Sequence, residues 1–543
     1  MRSSPSFRSA VSRLQLGLAL SCILVLVQTS IAASEDATVP ADYAALVPSD
    51  AAVVAYIADY DELRTGLGKM APSMAREGMI PDLPQALVDT SLSIPQGMGY
   101  LIWTESLGPI VSTPPTGVFH IAFRLPGANA DTVSVKGGDT SLTFNGDMVV
   151  LSQDMSHSDG KPTYRVPEKA KNTLVDRLPS STVSVAILGS DIADQARKVA
   201  PMLSMGPMML QQQMSQRLQT LDQDDRAAVR KAQNKAVGDV SQLLKAALAS
   251  IEDIQVMTMG LDLDGGSLIS DIDFSIGGRV ADDHGVSPKV LKALPDDMPG
   301  YFAFDGPTLE WLANFELDLF EGMMAESKED VVRFDRVIGS IESVGRNIDG
   351  GYAGGFTGSL GQTQGIFGVK DSAGFLKDMS GMMTSLTDLG IGLDYQPAGD
   401  MKWTVKMDEA KMMERFGATG GEMGLESGNL GGEYDITMRT ADGMVFLDQV
   451  RKGAKGPQGE GDPALKGDFE SLADSKVVAG LAVDVLGMAR EIADSMGTDL
   501  PAEMKGKALL AMILHSPDPR TVALHLRLPI GQFIEIPAMS RLD

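Results

Sequence analysis

The sequence has almost no cysteine: Cys22 is the only one in 543 residues. Downstream of it no disulfide, Cys-ligated zinc or Cys nucleophile can form, and stability has to come from sizeable apolar cores. Basic clusters are lacking as well. Asp and Glu number 72 against 46 Lys and Arg, a formal charge of −26 with no basic run. Phosphate backbones and anionic headgroups are held by clustered Lys and Arg, so nucleic acid is not an expected partner. Catalytic signatures are missing too. The five histidines (His120, His157, His284, His515, His525) show no metal spacing, and no His-Glu-x-x-His occurs. The string Thr357-Gly358-Ser359-Leu360-Gly361 has glycine in the wrong place for a hydrolase elbow. Neither a phosphate loop ending in Gly-Lys-Ser/Thr nor a dinucleotide fingerprint is present. Among 72 acidic residues, carboxylate pairs cannot be picked out by spacing. The sequence therefore supplies no catalytic residue, no cofactor-binding residue and no metal ligand, and no cofactor is expected.

What is present begins at the N-terminus. Arg2, Arg8 and Arg13 form a positive leader, and Leu14 to Val27 is an apolar run of 14 residues. Gln28 to Ala33 then closes on small residues. These are the parts of a signal peptide, and a spanning helix needs roughly 20 apolar residues. Residues 1–33 are read as a signal peptide cut after Ala32 or Ala33. Lipidation of Cys22 is not expected: Leu20 is bulky where a small residue is wanted, and Ile23 to Val27 stays apolar. The expected mature chain starts near Ala33–Glu35 and carries −29 once the three arginines leave. It has no stable transmembrane segment and is expected to be exported, to the periplasm, cell surface or medium.

A short unit recurs along the chain. Leu46-Val47-Pro48-Ser49-Asp50 precedes an apolar strand Val53–Ile57, then Asp59 and a helix. Leu178-Pro179-Ser180 precedes alternating Val183, Val185 and Ile187, then Asp191 and a helix. Leu294-Pro295-Asp296-Asp297 precedes Tyr301–Phe304, Asp305 and a helix; Leu472-Ala473-Asp474-Ser475 precedes Val477–Val483, Asp484 and a helix. Apolar residues at three- and four-residue steps, such as Leu63, Leu67, Met70 and Met74, bury one helix face. The recurring Asp suits a helix N-cap. A second recurring piece, Asn145-Gly146-Asp147-Met148 against Ala441-Asp442-Gly443-Met444, reads as a two-residue hairpin turn. The expected fold is α+β in two similar halves, 34–285 and 286–543, each of antiparallel hairpins with amphipathic helices packed on them. Gly277–Pro288 is the expected linker. One long helix is expected over about 214–251, on the spacing of Leu218, Leu221, Val229, Ala232, Ala236, Val240, Leu244 and Leu248.

Four features are ambiguous in function. His120 and His525 alternate with apolar neighbours and read as strand residues. Asp262, Asp264, Asp271 and Asp273 lack the glycine that a calcium loop needs at Ser267, and are expected to face water beside a turn. The glycines of Asp349–Gly361 are expected in flexible hairpins. Methionine is abundant, at 32 residues, with clusters at Met202, Met205, Met208, Met209 and Met214, at Met379, Met382 and Met383, and at Met412 and Met413. Core filling is the expected role; pliable apolar binding surface and Cu(I) ligation are the alternatives. The Leu-Pro-(Ser/Asp)-strand-Asp-helix units resemble uncharacterised exported bacterial proteins built from such modules, a resemblance that carries no activity and no site residues. The expected function is a non-enzymatic binding or scaffolding protein for an apolar small molecule, lipid or peptide. The alternatives are a carboxylate-based hydrolase and a structural protein of the cell envelope or surface.

Overall fold

Turn and cap residues set the element boundaries in the computed structural model. It describes residues 39–58, 60–70, 92–93, 110–114, 118–135, 140–154, 164, 172–203, 205–264, 267–277, 285–296, 298–357, 361–399, 401–408, 411, 432–453, 462–496 and 506–529. The signal segment 1–33, Asp59, His157, His284, Met412, Met413 and most of the 277–288 linker lie outside these residues. The described residues fall into two compact units. The first holds those up to Ala193, Ile254–Gly277 and Ala523 onward; the second holds Asp194–Asp253 and Gly278–Val522.

In the first unit, α1 (Ala41–Ala44) leads to β1 (Val53–Ile57) and α2 (Tyr60–Met70). Next come β2 (Leu92–Ser93), β3 (Ile110–Thr113), β4 (Val118–Arg124), β5 (Ser134–Val135), β6 (Thr140–Asn145), β7 (Met148–Asp154) and β8 (Val183–Leu188). In sequence three helices, α3 (Gly189–Leu203) and, in the second unit, α4 (Met205–Arg217) and α5 (Gln223–Glu252), separate β8 from the first unit's hairpin β9 (Ile254–Asp264) and β10 (Ser267–Ile276). Antiparallel pairing gives the order β6-β7-β4-β3-β1-β8-β9-β10, with β2 and β5 as a separate ribbon. Both faces are packed. Tyr43, Leu46, Tyr56, Val150 and Leu174 fill one side, while Ile57, Val183, Val185 and Leu261 meet Leu63 of α2 on the other.

The second unit runs α6 (Pro288–Lys292), β11 (Gly300–Phe304), α7 (Gly306–Met324), α8 (Lys328–Asn347), β12 (Ile348–Phe356), β13 (Gln362–Val369) and α9 (Ser372–Leu389). It continues β14 (Leu393–Gly399), β15 (Lys402–Met407), β16 (Gly432–Ala441), β17 (Met444–Arg451), α10 (Pro463–Ser471), β18 (Lys476–Asp484), α11 (Val485–Met496) and β19 (Leu509–Asp518). The last strand, β20 (Thr521–Leu528), belongs from Ala523 onward to the first unit and pairs there with β10. The antiparallel order in the second unit is β14-β15-β16-β17-β13-β12-β11-β18-β19. The chain is thus α+β. Among the described residues no helix is long and apolar enough to cross a membrane.

Local chemistry explains the boundaries. Asp305 accepts the Thr308 N–H at 2.7 Å and starts α7. Asp484 accepts Gly487 N–H at 3.0 Å and Ala508 N–H at 2.9 Å, so it also ties β19 to the start of α11. Asp191 lies inside the first turn of α3. Of the two expected hairpin turns, Asp442 and Gly443 have φ of +53° and +76°, as a turn with two left-handed residues requires. The other is shifted by one residue. Asn145 pairs with Met148, so Gly146 and Asp147 form the turn and only Gly146, at +62°, is left-handed.

The glycine-rich stretch from Asp349 is ordered strand. Its glycines stand opposite aromatic rings: Phe356 pairs with Gly300 and Phe302 with Gly354. A methyl group on Gly300 would come within 2.5 Å of the Phe356 ring, and one on Gly354 within 2.8 Å of the Phe302 ring. The rings lie across bare backbone and meet one another, Tyr352 stacked on Phe367 at 4.1 Å and Phe302 tilted against Tyr352 at 4.9 Å. The stretch therefore needs glycine for contact rather than flexibility. Gly354→Ala should cost about 1–3 kcal/mol in urea unfolding, because the methyl group would press on the Gln364 carbonyl oxygen as well as on the Phe302 ring, and the strand pair has to shift. Gly339→Ala, in α8 with nothing within 4 Å of the new methyl group, should instead gain up to about 1 kcal/mol from helix propensity.

Candidate binding site in the helices of the second unit

The buried polar pairs on the strands come first, because two of them resemble catalytic parts. His120 on β4 stands opposite Ser152 on β7, with Nδ1 and Oγ 2.7 Å apart. Tyr164 meets the imidazole edge-on at 5.0 Å and donates its own hydroxyl to the Leu46 carbonyl. A nucleophilic serine has to meet substrate, but Ser152 is 0% exposed and His120 6%. Burial pulls the His120 pKa down to about 4, so the ring is neutral at pH 7 and the pair bonds one strand to the next. His525 on β20 is buried, its Nδ1 2.7 Å from Asp271 of β10. Asp271 is thereby assigned a partner, whereas Asp262 and Asp273 lie on neighbouring strand positions, half-buried. Among the described residues no three His, Cys, Asp or Glu side chains come close enough to hold a metal ion.

The helices differ from expectation at one point that matters. The long helix is broken: α4 ends at Arg217, Leu218–Thr220 form a single 3-10 turn, and α5 begins at Gln223. Asp222 caps α5 by accepting the N–H groups of Asp224 and Asp225 at 3.1 and 3.0 Å. Asp224 and Asp225 then place two negative charges in the first turn, favourable to the helix dipole. The cap signal was in the sequence, overridden by apolar spacing that ran straight through it. The break folds α4 back on α5. Gln233, 5% exposed, donates from its side chain to the Met214 carbonyl at 3.0 Å, and Leu218 packs with Val229.

Between α4 and α5 lies a cleft of about 290 Å³. Met214, Leu218 and Val237 give it apolar walls, and Gln211, Ser215, Gln219, Gln233 and Asn234 give it neutral hydrogen-bonding groups. Its only charges among the lining residues are Arg226 and Arg230. Arg226 Nη2 donates to the Leu221 carbonyl at 2.7 Å, while its buried Nε has no hydrogen-bond partner. At the other end of α4, Met205, Met208 and Met209 are 58%, 69% and 60% exposed. The methionine clusters therefore divide. Met214, Met379 and Met383 are core, and Met205, Met208 and Met209 are surface.

A different stripe of α5 faces α7 and α8 across an acidic cluster. Lys235 Nζ contacts Asp318 Oδ1 at 2.6 Å. Next to it Glu321 is only 2% exposed. Burial, then the charge of Asp335, pushes the Glu321 pKa up to about 7, with Lys235 and Lys231 working the other way. Asp239 is raised as well, by burial and then by Asp318. Gly322 lets the helices approach here: a methyl group on it would stand 2.8 Å from Ala236 Cβ.

Compared with protein-family models, with curated proteins and with solved structures, the chain matches none.

Glu321 holds its proton more tightly folded than unfolded, so its contribution to stability is largest below about 4.5 and is lost as pH rises through about 7. Glu321→Gln should consequently stabilise the protein by about 1–3 kcal/mol at pH 8. The gain should fade towards pH 4, measured as chemical-denaturation midpoints across that range.

Proposed function

We propose that the protein is exported and works by binding, as a non-enzymatic carrier or scaffold for an apolar or amphiphilic ligand. The single observation that carries the reading is the exposed run Met205, Met208 and Met209 at one end of α4, a helix whose other end lines a formed cleft. Three large thioether side chains at i, i+3 and i+4 make one apolar stripe facing water, a costly arrangement unless something covers it. Methionine is the residue suited to it, because its flexible, polarisable side chain accepts varied shapes. The leader Arg2, Arg8 and Arg13 with the 14-residue run Leu14–Val27 supports export.

The scaffold beneath is a duplication in this reading. Seven strands of the first unit run β6-β7-β4-β3-β1-β8-β9. Seven of the second run β16-β17-β13-β12-β11-β18-β19, the same order with the same antiparallel sense. The halves differ in what is inserted. After β8 the first half carries α3, α4 and α5, where after β18 the second carries α11 alone among the described residues. The proposed binding element is thus an insertion on a repeated sheet.

Native mass spectrometry of the protein purified gently from its own host tests this. The expected species starts at Ala33 or Ser34 and carries extra mass that is lost on denaturation. A chain still beginning at Met1 would sink export, and a bare chain would sink tight ligand retention.

A further inference from the structure

We infer that the α4–α5 cleft takes a small anionic amphiphile, its charged head on Arg226 and Arg230 and its apolar part against Met214, Leu218 and Val237. This rests on the reading of the protein as a binding protein and adds the ligand class and its orientation.

Charge selects the head. The chain carries 72 carboxylates, yet the cleft is lined by two arginines and no acid. Helical neighbours three and four residues either side of Arg230 are Arg226, Ala227, Gln233 and Asn234, none of which can pair with it. Arg230 is exposed and makes no hydrogen bond or ion pair among the described residues. The one acid near Arg226 on its own face is Asp222, whose carboxylate is committed to the Asp224 and Asp225 amides. The Leu221 carbonyl holds the Arg226 guanidinium in place at 2.7 Å and leaves its buried Nε–H without an acceptor. A buried donor without an acceptor is unfavourable, and an anionic oxygen supplies the strongest partner for it.

Apolar surface selects the tail. The walls Met214, Leu218 and Val237 are apolar, and the cleft of about 290 Å³ is at the lower end of ligand pockets, room for a head and the start of a chain. Gln211 lines the cleft on α4. With it Met214, Ser215 and, in the turn that follows, Leu218, at three- and four-residue steps, share the cleft face. The cleft therefore sets cation beside apolar wall, the polarity of an amphiphile.

The test is calorimetric titration of the full secreted chain with decanoate, decyl phosphate, decanol and acetate, together with Arg230→Gln. Decanoate should saturate one site per chain. Arg230→Gln should weaken it about tenfold by removing one charge-assisted contact, with an unchanged thermal melt, since the Arg230 side chain supports nothing else. Val237→Thr should weaken decanoate and leave the negligible acetate binding as it was. Decyl phosphate binding tighter than decanoate would identify a phosphate head within the same proposal. Equal affinity for decanol and decanoate, or no effect of Arg230→Gln, would overturn the assignment of the head while leaving an apolar binder. Acetate binding as well as decanoate would overturn the tail. No saturable binding of any probe, with no retained mass from the host, would sink both this inference and the binding reading.

Discussion

The carboxylate of Asp222 accepts two backbone N–H groups, from Asp224 and Asp225, and so starts a helix afresh after a single 3-10 turn. Without that stop, α4 and α5 would be one rod. Met214 and Gln233, 19 positions apart, would then be separated by about 28 Å at the rise of an α-helix. Instead the Gln233 side chain reaches the Met214 carbonyl at 3.0 Å. The cleft and the isolation of its arginines both follow from the chain doubling back there. Asp225 has a second use, accepting the Lys328 N–H at 2.7 Å and so fixing the start of α8 against α5.

The strands face a different constraint. Apart from Cys22 the chain has no cysteine, so nothing covalent fixes strand register. Register is set by complementary shape instead. In the second unit an aromatic ring on one strand lies over a glycine on its partner, and a slip of one residue would put ring against side chain and turn the buried face outward. Buried hydrogen bonds add direction: His120 to Ser152 in the first unit, Asp484 to Ala508 N–H in the second. These pairs look like chemistry when read as residue types, and burial is what separates them from it.

Much of the architecture was legible in the sequence. Alternation marked β1, β8, β11 and β18, and Asp305 and Asp484 cap the helices after two of them. The Asp442-Gly443 turn follows from the need for two left-handed residues, while the Asn145-Gly146 signal misplaced its turn by one position because Gly146 alone satisfies a turn with glycine first. Two things were not legible. Apolar spacing is continuous from Leu218 through Leu248, so periodicity hides a break that only the cap chemistry of Asp222 marks. The site depends on which residues fail to find partners, Arg230 above all, and partnership across helices has no signature in a single chain. Methionine count likewise cannot distinguish Met383, 3% exposed, from Met208, 69% exposed.

An anion seated on a chain of formal charge −26 needs a physical account. Screening provides part of it, since the Debye length is about 8 Å at physiological salt and distant carboxylates contribute little. The arrangement of α5 provides the rest. Lys231, Lys235 and Asp239 lie on one stripe of that helix, and Lys235 is bonded there to Asp318 of α7. Arg226 and Arg230 lie on another stripe, towards α4. Acid is thus met by lysine on one side of the helix, and Glu321, with its pKa near 7, carries only part of its charge at neutral pH. On the other side the arginines face amides, hydroxyls and thioethers. A single helix keeps its two cationic stripes from sharing the same anions, and it is this separation that leaves a positive cleft in an acidic protein.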